Sequence, residues 1–212
     1  MIKTMLRYGV FLSFFCGIIF SVQAETFKEG VDYELANTVG RTDDSTKIEV
    51  REFFWYGCPH CYELEPYIEK WLKTKPEDVA FVRTPGVMNR AWEVHGKAYY
   101  AAKSLGILEQ SHRNLFDAIH LEKRDLRTQE KLADFYSNYG VSAKDFNKVY
   151  ESFGVTSEVR QADAMARSFR IMGVPALIVN GKYVTNGRMA TDHGRWMKII
   201  DFLVEKERQQ KK

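Results

Sequence analysis

Cysteine is nearly absent from this chain: Cys16, Cys58 and Cys61 are the three in 212 residues. So few thiols exclude a fold stapled by disulfides. A bridge between Cys58 and Cys61 would close a loop with only two residues between them. It would remove little entropy from the unfolded chain, so the pair points to chemistry rather than to strength. An excess of one charge is also missing. The 31 basic and 28 acidic residues leave +3, which gives no sign of a nucleic-acid partner. Lys206, Arg208, Lys211 and Lys212 form a short basic tail that reads as a solvated helix end. Beyond the first twenty residues no apolar run is long enough to span a membrane.

That first run has its own pattern. Lys3 and Arg7 precede a nearly continuous apolar stretch from Gly9 to Phe20, and Ser21-Val22-Gln23-Ala24 follows. This is the plan of a secretory signal peptide, with cleavage expected after Ala24. An uncleaved signal anchor is the alternative, but the run falls short of the roughly 18 to 20 residues that a spanning helix needs. Bulky Phe15 before Cys16 does not suit a lipid-attachment site. Removing residues 1–24 leaves 188 residues. Lys3 and Arg7 go with them, so 29 basic residues face 28 acidic ones and the net charge becomes about +1. Cys16 goes too, and Cys58 and Cys61 become the whole cysteine content. The length suits one large domain or two small ones.

The remaining chain reads as an α/β sheet interrupted by helices. A short strand is expected near residues 33–36. Ile48 to Trp55 is the first strong strand, with Ile48, Val50, Glu52 and Phe54 on one face and Glu49, Arg51, Phe53 and Trp55 on the other. A helix starts at Pro59, where a missing N–H does no harm. Its apolar stripe is Leu64, Ile68, Trp71 and Leu72, and Pro66 is expected to kink it. Val79 to Arg83 is a second strand. Residues 89 to 172 show no strand pattern and divide into five helical stretches. Asn180-Gly181 between Ala176–Val179 and Lys182–Val184 is a hairpin signal. Thr191 is the expected cap of a last helix carrying Trp196, Ile199, Ile200, Leu203 and Val204. The expected division is 25–88 and 165–212 for the two parts of the sheet domain, with 89–164 as an inserted helical subdomain.

Chemistry concentrates at Cys58-Pro59-His60-Cys61, a strand-to-helix junction. With Cys58 at the N-cap, its sulfur lies beside unpaired backbone N–H groups and the positive end of the helix dipole. Both favour thiolate, which makes a better nucleophile and a better leaving group. His60 adds a charge or a donor beside it. Cys61, one turn deeper, is placed to attack a mixed disulfide on Cys58. A structural disulfide and a metal site are the alternatives. Zinc would need a fourth ligand from His95, His112, His120 or His193, none of which lies in a metal-ligand motif. Those histidines read as surface or packing residues. Trp55 and Tyr56 are candidates for an apolar rim that grips unfolded substrate. Glu52 lies on an apolar strand face, unusual for an unpaired charge. A six-residue strand covers about 20 Å, so Glu52 can approach Cys61 only if the chain turns back sharply.

Glu52-Phe53-Phe54, Cys58-Pro59-His60-Cys61, the helical block and Gly173-Val174-Pro175 before a strand together resemble the DsbA family of periplasmic thiol oxidases. The resemblance covers nearly all of the chain after Ala24. It implies a thioredoxin-like mixed sheet with an inserted all-helical subdomain. It implies a cis Val174–Pro175 bond opposite Cys58, with the Val174 backbone open to an extended substrate. Glu52 and Glu65 resemble positions near the buried cysteine, where they would shuttle protons or tune its pKa. Arg83 stands where the family often has lysine, which leaves its part in a charge network open. The implied activity is donation of the Cys58–Cys61 disulfide to newly translocated, unfolded proteins in the periplasm, without a cofactor. Reoxidation would come from a quinone-linked membrane oxidase related to DsbB. Nothing in the sequence demands a dimer, and no segment is spare for the dimerisation domain that isomerases of this compartment resemble one another in having. A reductase or isomerase remains the nearest alternative activity, and a non-enzymatic chaperone the alternative of another class.

Overall fold

A computed structural model describes residues 26–210. The expected signal peptide and Cys16 lie outside the described residues. Five strands form one mixed sheet: β1 (Glu34–Leu35), β2 (Ile48–Phe54), β3 (Val79–Pro85), β4 (Ala176–Val179) and β5 (Tyr183–Asn186). Their spatial order is β1-β5-β4-β2-β3. Strand β2 pairs parallel with β3 and antiparallel with β4, so Glu52 stands between Arg83 and Leu177. All seven residues of β2 are buried, as expected of a strand covered on both faces.

The two faces of β2 meet different partners. Ile48 and Val50 pack with Leu64, Ile68 and Trp71 of α1 (Pro59–Leu72) and with Trp196, Ile199, Ile200 and Leu203 of α8 (His193–Gln210). Phe53 points the other way, onto Phe169, Ala166 and Ile178. Each such side chain contributes roughly 1.5 to 3 kcal/mol by burial. The face that carries Ile48 and Val50 also carries Glu52, so the apolar layer contains a carboxyl with no exposure at all. Helix α1 continues through Pro66.

Between β3 and β4 lie α2 (Arg90–Ser104), α3 (Leu108–His120), α4 (Gln129–Ser137), α5 (Ala143–Tyr150) and α6 (Phe153–Ser168). Their core, built on Leu115, Phe116, Leu132, Tyr136 and Phe146, is continuous with Phe54, Tyr56, Cys58 and Cys61. The helical block is therefore packed against the thiol pair rather than standing apart from it. Ser142 caps α5 by accepting from Asp145 N–H at 3.1 Å, a contact worth about 1 kcal/mol.

Several boundaries depart from expectation. Strand β5 extends to Asn186, and a short helix α7 (Gly187–Ala190) follows it. The cap of α8 is Asp192 rather than Thr191: Asp192 Oδ1 accepts from Arg195 N–H at 2.8 Å, while Thr191 has φ 64° and ends α7. Helix α6 begins at Phe153 and reaches Ser168, past residue 164. The Asn180-Gly181 turn has φ 51° and 65°, the left-handed pair that a two-residue hairpin requires. At Gly181 a Cβ would also stand 2.3 Å from the Gly40 carbonyl oxygen.

Candidate functional site

The chain leaves β2 and reverses within three residues. Cys58 N–H donates to the Trp55 carbonyl at 2.9 Å, and Cys58 adopts an extended N-cap geometry with Pro59 next in the helix. Gly57 is needed here, since a Cβ would sit 2.3 Å from the Trp55 indole. The turn leaves Cys58 Sγ slightly exposed, at 8% for the residue, and Cys61 wholly buried. Both thiols are free. Opposite them, Val174–Pro175 is a cis peptide bond, and Cys58 Sγ lies 3.5 Å from the Val174 carbonyl oxygen.

One helical turn separates two very different thiols. A hydrogen bond from the Cys61 thiol lowers the Cys58 pKa to about 6. Burial opposes this, and the backbone N–H groups of Cys61 and His60 and the His60 charge add to it. Burial pushes the Cys61 thiol well above its ordinary value, and its hydrogen bond with Cys58 and the charges of Cys58 and Glu52 act in the same direction. The His60 side chain is exposed and paired with Glu63 Oε2 at 3.2 Å. Its influence on Cys58 is therefore screened by water.

Behind the thiols is a buried charge cluster. Glu52 and Glu65 share the Arg83 guanidinium: Arg83 Nε lies 3.3 Å from Glu52 Oε2, and Arg83 Nη2 lies 3.0 Å from Glu65 Oε2. Neither Glu52 oxygen accepts a hydrogen bond. Burial raises the Glu52 pKa to about 8, with the Glu65 charge raising it further and Arg83 opposing. Glu65 is held below its ordinary value although burial works against it, because His112 and Arg83 stabilise its charge. One member of the pair keeps its proton and the other does not. Arg83 thus bridges two carboxyl groups, the role that the sequence left open. The sharp turn after β2 brings Glu52 within electrostatic reach of both thiols.

Two expectations need correction. Tyr56 is not part of an exposed rim: it has no exposure, and its ring packs edge-on against Phe54 and Phe116. Its hydroxyl meets His112 Nδ1 at 2.7 Å, and its carbonyl accepts from His120 Nε2 at 2.7 Å. Trp55 is half-buried and stacked on Trp92, with ring centroids 4.7 Å apart. Nor are all the other histidines ordinary packing residues. His95 does donate to the Leu126 carbonyl in the core. His112 joins the charge cluster through Glu65 Oε1 at 3.5 Å. The signal was available as His112, Phe116 and His120 at four-residue spacing on α3, one face directed at Tyr56. Exposed apolar surface is found instead near Val174, where Met172 is 91% exposed. It borders an open groove of about 870 Å³ lined by His60, Phe169, Val174, Pro175 and Leu35. Among the described residues, no group of three or more His, Cys, Asp or Glu is arranged to hold a metal ion. None of the described helices is long and apolar enough to cross a membrane.

Comparison with known proteins gives a consistent result. A family model described as a DSBA-like thioredoxin domain matches residues 89–196. The thiol:disulfide interchange protein DsbA of Pseudomonas aeruginosa is 38% identical over 188 residues, 89% of each chain. The protein of the same name from Azotobacter vinelandii is 40% identical over 162 residues, 76% of each chain. The crystal structure of Pseudomonas aeruginosa DsbA superposes with a TM-score of 0.82, covering 87% of this chain and 96% of that one.

Proposed function

This chain belongs to the DSBA-like thioredoxin family, and we propose on that premise that it is an oxidase that donates the Cys58–Cys61 disulfide to exported proteins. A substrate thiolate attacks Cys58 Sγ. A substrate–Cys58 bond forms, the Cys58–Cys61 bond breaks, and its electron pair leaves on Cys61, which takes a proton. A second substrate thiolate then attacks the substrate sulfur of the mixed disulfide and expels Cys58 as thiolate. Two electrons have passed from the substrate thiols to the cysteine pair.

The observation that carries this reading is the unequal setting of the two thiols: Cys58 sits at the N-cap of α1 with its sulfur at the surface of the site, and Cys61 is wholly buried one turn deeper. A thiolate stabilised on Cys58 makes the reduced form the favoured one and Cys58 a good leaving group, which is what an oxidant requires. Three other roles belong to the same reading. Pro59 sets the helix start, the Val174 backbone beside Pro175 pairs with an extended substrate segment, and His60 assists the thiolate. Export to the periplasm is supported by the apolar run from Gly9 to Phe20 and the expected cleavage after Ala24. A DsbB-like, quinone-linked membrane oxidase would return the reduced pair to the disulfide, and the working unit would be a monomer.

The test is turnover of a reduced, unfolded protein that needs disulfides to regain activity. Catalytic refolding is expected, with Cys58→Ser reduced by several orders of magnitude to the uncatalysed rate. Full activity in Cys58→Ser would sink the reading.

A further inference from the structure

The groove beside Val174 carries charged side chains that the thiol chemistry does not use. Some are already committed. His60 is paired with Glu63, Asp192 Oδ1 accepts from Arg195 N–H, and the His193 ring lies against Tyr67 with centroids 5.1 Å apart. Arg170, Arg188 and Glu34 also line the groove. All three are exposed, and among the described residues none of them is held in an ion pair.

Their places in the fold differ. Ala176 opposes Asn186 across β4 and β5, so Arg188, two residues beyond Asn186, follows the end of β5 that lies beside Pro175. Arg170 comes four residues before Val174, on the connection from α6. The two arginines thus flank the Val174–Pro175 backbone from either side. Glu34 opposes Val184 on the edge strand β1, one strand further out. The part of the groove next to the thiols is its cationic part. Arg170 also holds φ 53° where α6 ends, with Ile171 N–H donating to the Ala166 carbonyl at 2.9 Å. Glycine or asparagine suits that left-handed position better, yet a long cation occupies it.

We propose that Arg170 and Arg188 are specificity-determining residues, selecting client segments with an acidic side chain within a few residues of the cysteine to be oxidised and disfavouring segments with a basic one there. This rests on the oxidase reading, in which an extended client segment pairs with the Val174 backbone. In that mode main-chain hydrogen bonds give affinity and the side-chain surroundings give selectivity. An extended segment advances about 3.3 Å per residue, so a side chain two positions from the reacting cysteine stands about 7 Å along the groove. That is within the span of an arginine anchored beside Val174. A guanidinium meets a carboxylate through two parallel N–H donors. Phe169, Ile171 and Met172 supply apolar surface around such a pair, which thins the water that would screen it on an open surface. The bonds made and broken remain those of the oxidase cycle. The arginines change how often an encounter places the client thiolate at Cys58.

The experiment is single-turnover oxidation, by the full chain, of three dithiol peptides that differ only in the residues flanking one cysteine: aspartate, serine or lysine. Each rate is divided by that of the same peptide with 2-hydroxyethyl disulfide, an uncharged oxidant, which removes the effect of the peptide's own thiol acidity. We expect the aspartate peptide to be favoured over the lysine peptide by about tenfold at low salt, falling below about threefold near 0.5 M salt. The paired substitutions Arg170→Glu and Arg188→Glu should reverse the order, and Arg170→Lys with Arg188→Lys should keep it. A merely structural role would slow all three peptides alike and leave the ratio where it was.

No preference in the wild type would overturn the proposal. So would a preference that survives both glutamates, one that is lost with both lysines, or one that salt does not touch. If the paired glutamate variant fails to fold, Arg188→Glu alone decides: a ratio lowered about twofold or more supports the proposal, and an unchanged ratio overturns it. A wild-type chain that leaves even the serine peptide reduced contradicts the oxidase reading itself. Oxidation of all three peptides without regard to charge overturns this inference alone.

Discussion

Strand β2 carries two buried ion clusters on its opposite faces, one residue apart, and they are built differently. On one face, Arg51 donates to Glu49 Oε1 at 2.8 Å, to Asp43 Oδ1 at 2.7 Å and to Thr84 Oγ1 at 2.7 Å. Glu49 Oε2 also accepts, from Asp43 N–H at 2.7 Å. Every oxygen of Glu49 has a donor. On the other face, Glu52 has an ion-pair neighbour in Arg83 but no hydrogen bond to either oxygen. The first cluster is saturated and its charges have nowhere to go. The second is short of donors, so the proton on Glu52 is the cheapest way to satisfy a buried carboxyl. With that shortage, burial leaves Glu52 holding its proton up to about pH 8. Buried charge alone therefore does not distinguish the two clusters; the supply of hydrogen-bond donors does.

The largest test of this contrast is Arg51→Met. It strips the saturated cluster of its cation and leaves Glu49 buried without a counter-charge, and should cost about 3 to 5 kcal/mol in stability. Chemical denaturation measures that loss. The Cys58 thiolate midpoint should stay where it is, since the cluster lies on the far face; a shift of the midpoint would erase the distinction between the faces.

Glu52→Gln should act in the opposite direction. Folded Glu52 holds its proton up to about pH 8, against an ordinary value of 4.5. Ionisation in the unfolded chain therefore penalises the folded wild type above pH 4.5, increasingly up to about pH 8. Glutamine carries no such penalty. The variant should gain roughly 2 to 4 kcal/mol at neutral pH and little near pH 4. Equal stability of the two proteins at every pH would show that burial does not hold the proton on Glu52.

The smallest effect is expected on the exposed side. His60 is 76% exposed at its side chain and comes last among the influences on Cys58. His60→Leu should raise the Cys58 midpoint by about one unit at most, tenfold in the ionisation constant or about 1.4 kcal/mol, which lowers the thiolate fraction at neutral pH by about twofold. Cys61→Ala, which removes the largest influence, should raise the midpoint further. Alkylation rates against pH compare the two, and a larger effect from His60 would reverse the order argued from exposure.

Much of this arrangement was legible in the residues. The alternation of β2 put Glu52 with Ile48 and Val50 and put Arg51 with Phe53, and Pro59 and Asn180-Gly181 marked their turns because proline and left-handed backbone have local causes. Tyr56 was misread because it lies between two elements, where no periodicity says which way a side chain points. His112 escaped because its partners, Tyr56 and Glu65, are 56 and 47 residues away in the chain. The face of a helix can be inferred from spacing, but not what it will meet. The Glu52–Glu65–Arg83 grouping had the same difficulty, and resemblance supplied only the carboxyl pair. Thr191 lost its cap to Asp192 because α7, too short to show a period, displaced the helix start by one residue.

All of these differences matter only if the Cys61 thiol and the helix-start N–H groups make Cys58 an acid while burial keeps Cys61 protonated. Titration of the reduced wild-type protein, followed by the ultraviolet absorbance of the thiolate, reads this directly. A single thiolate should appear with a midpoint near pH 6, and the second should stay silent through pH 9. A midpoint near 9 for the first thiolate, or two thiolates rising together, would contradict the account.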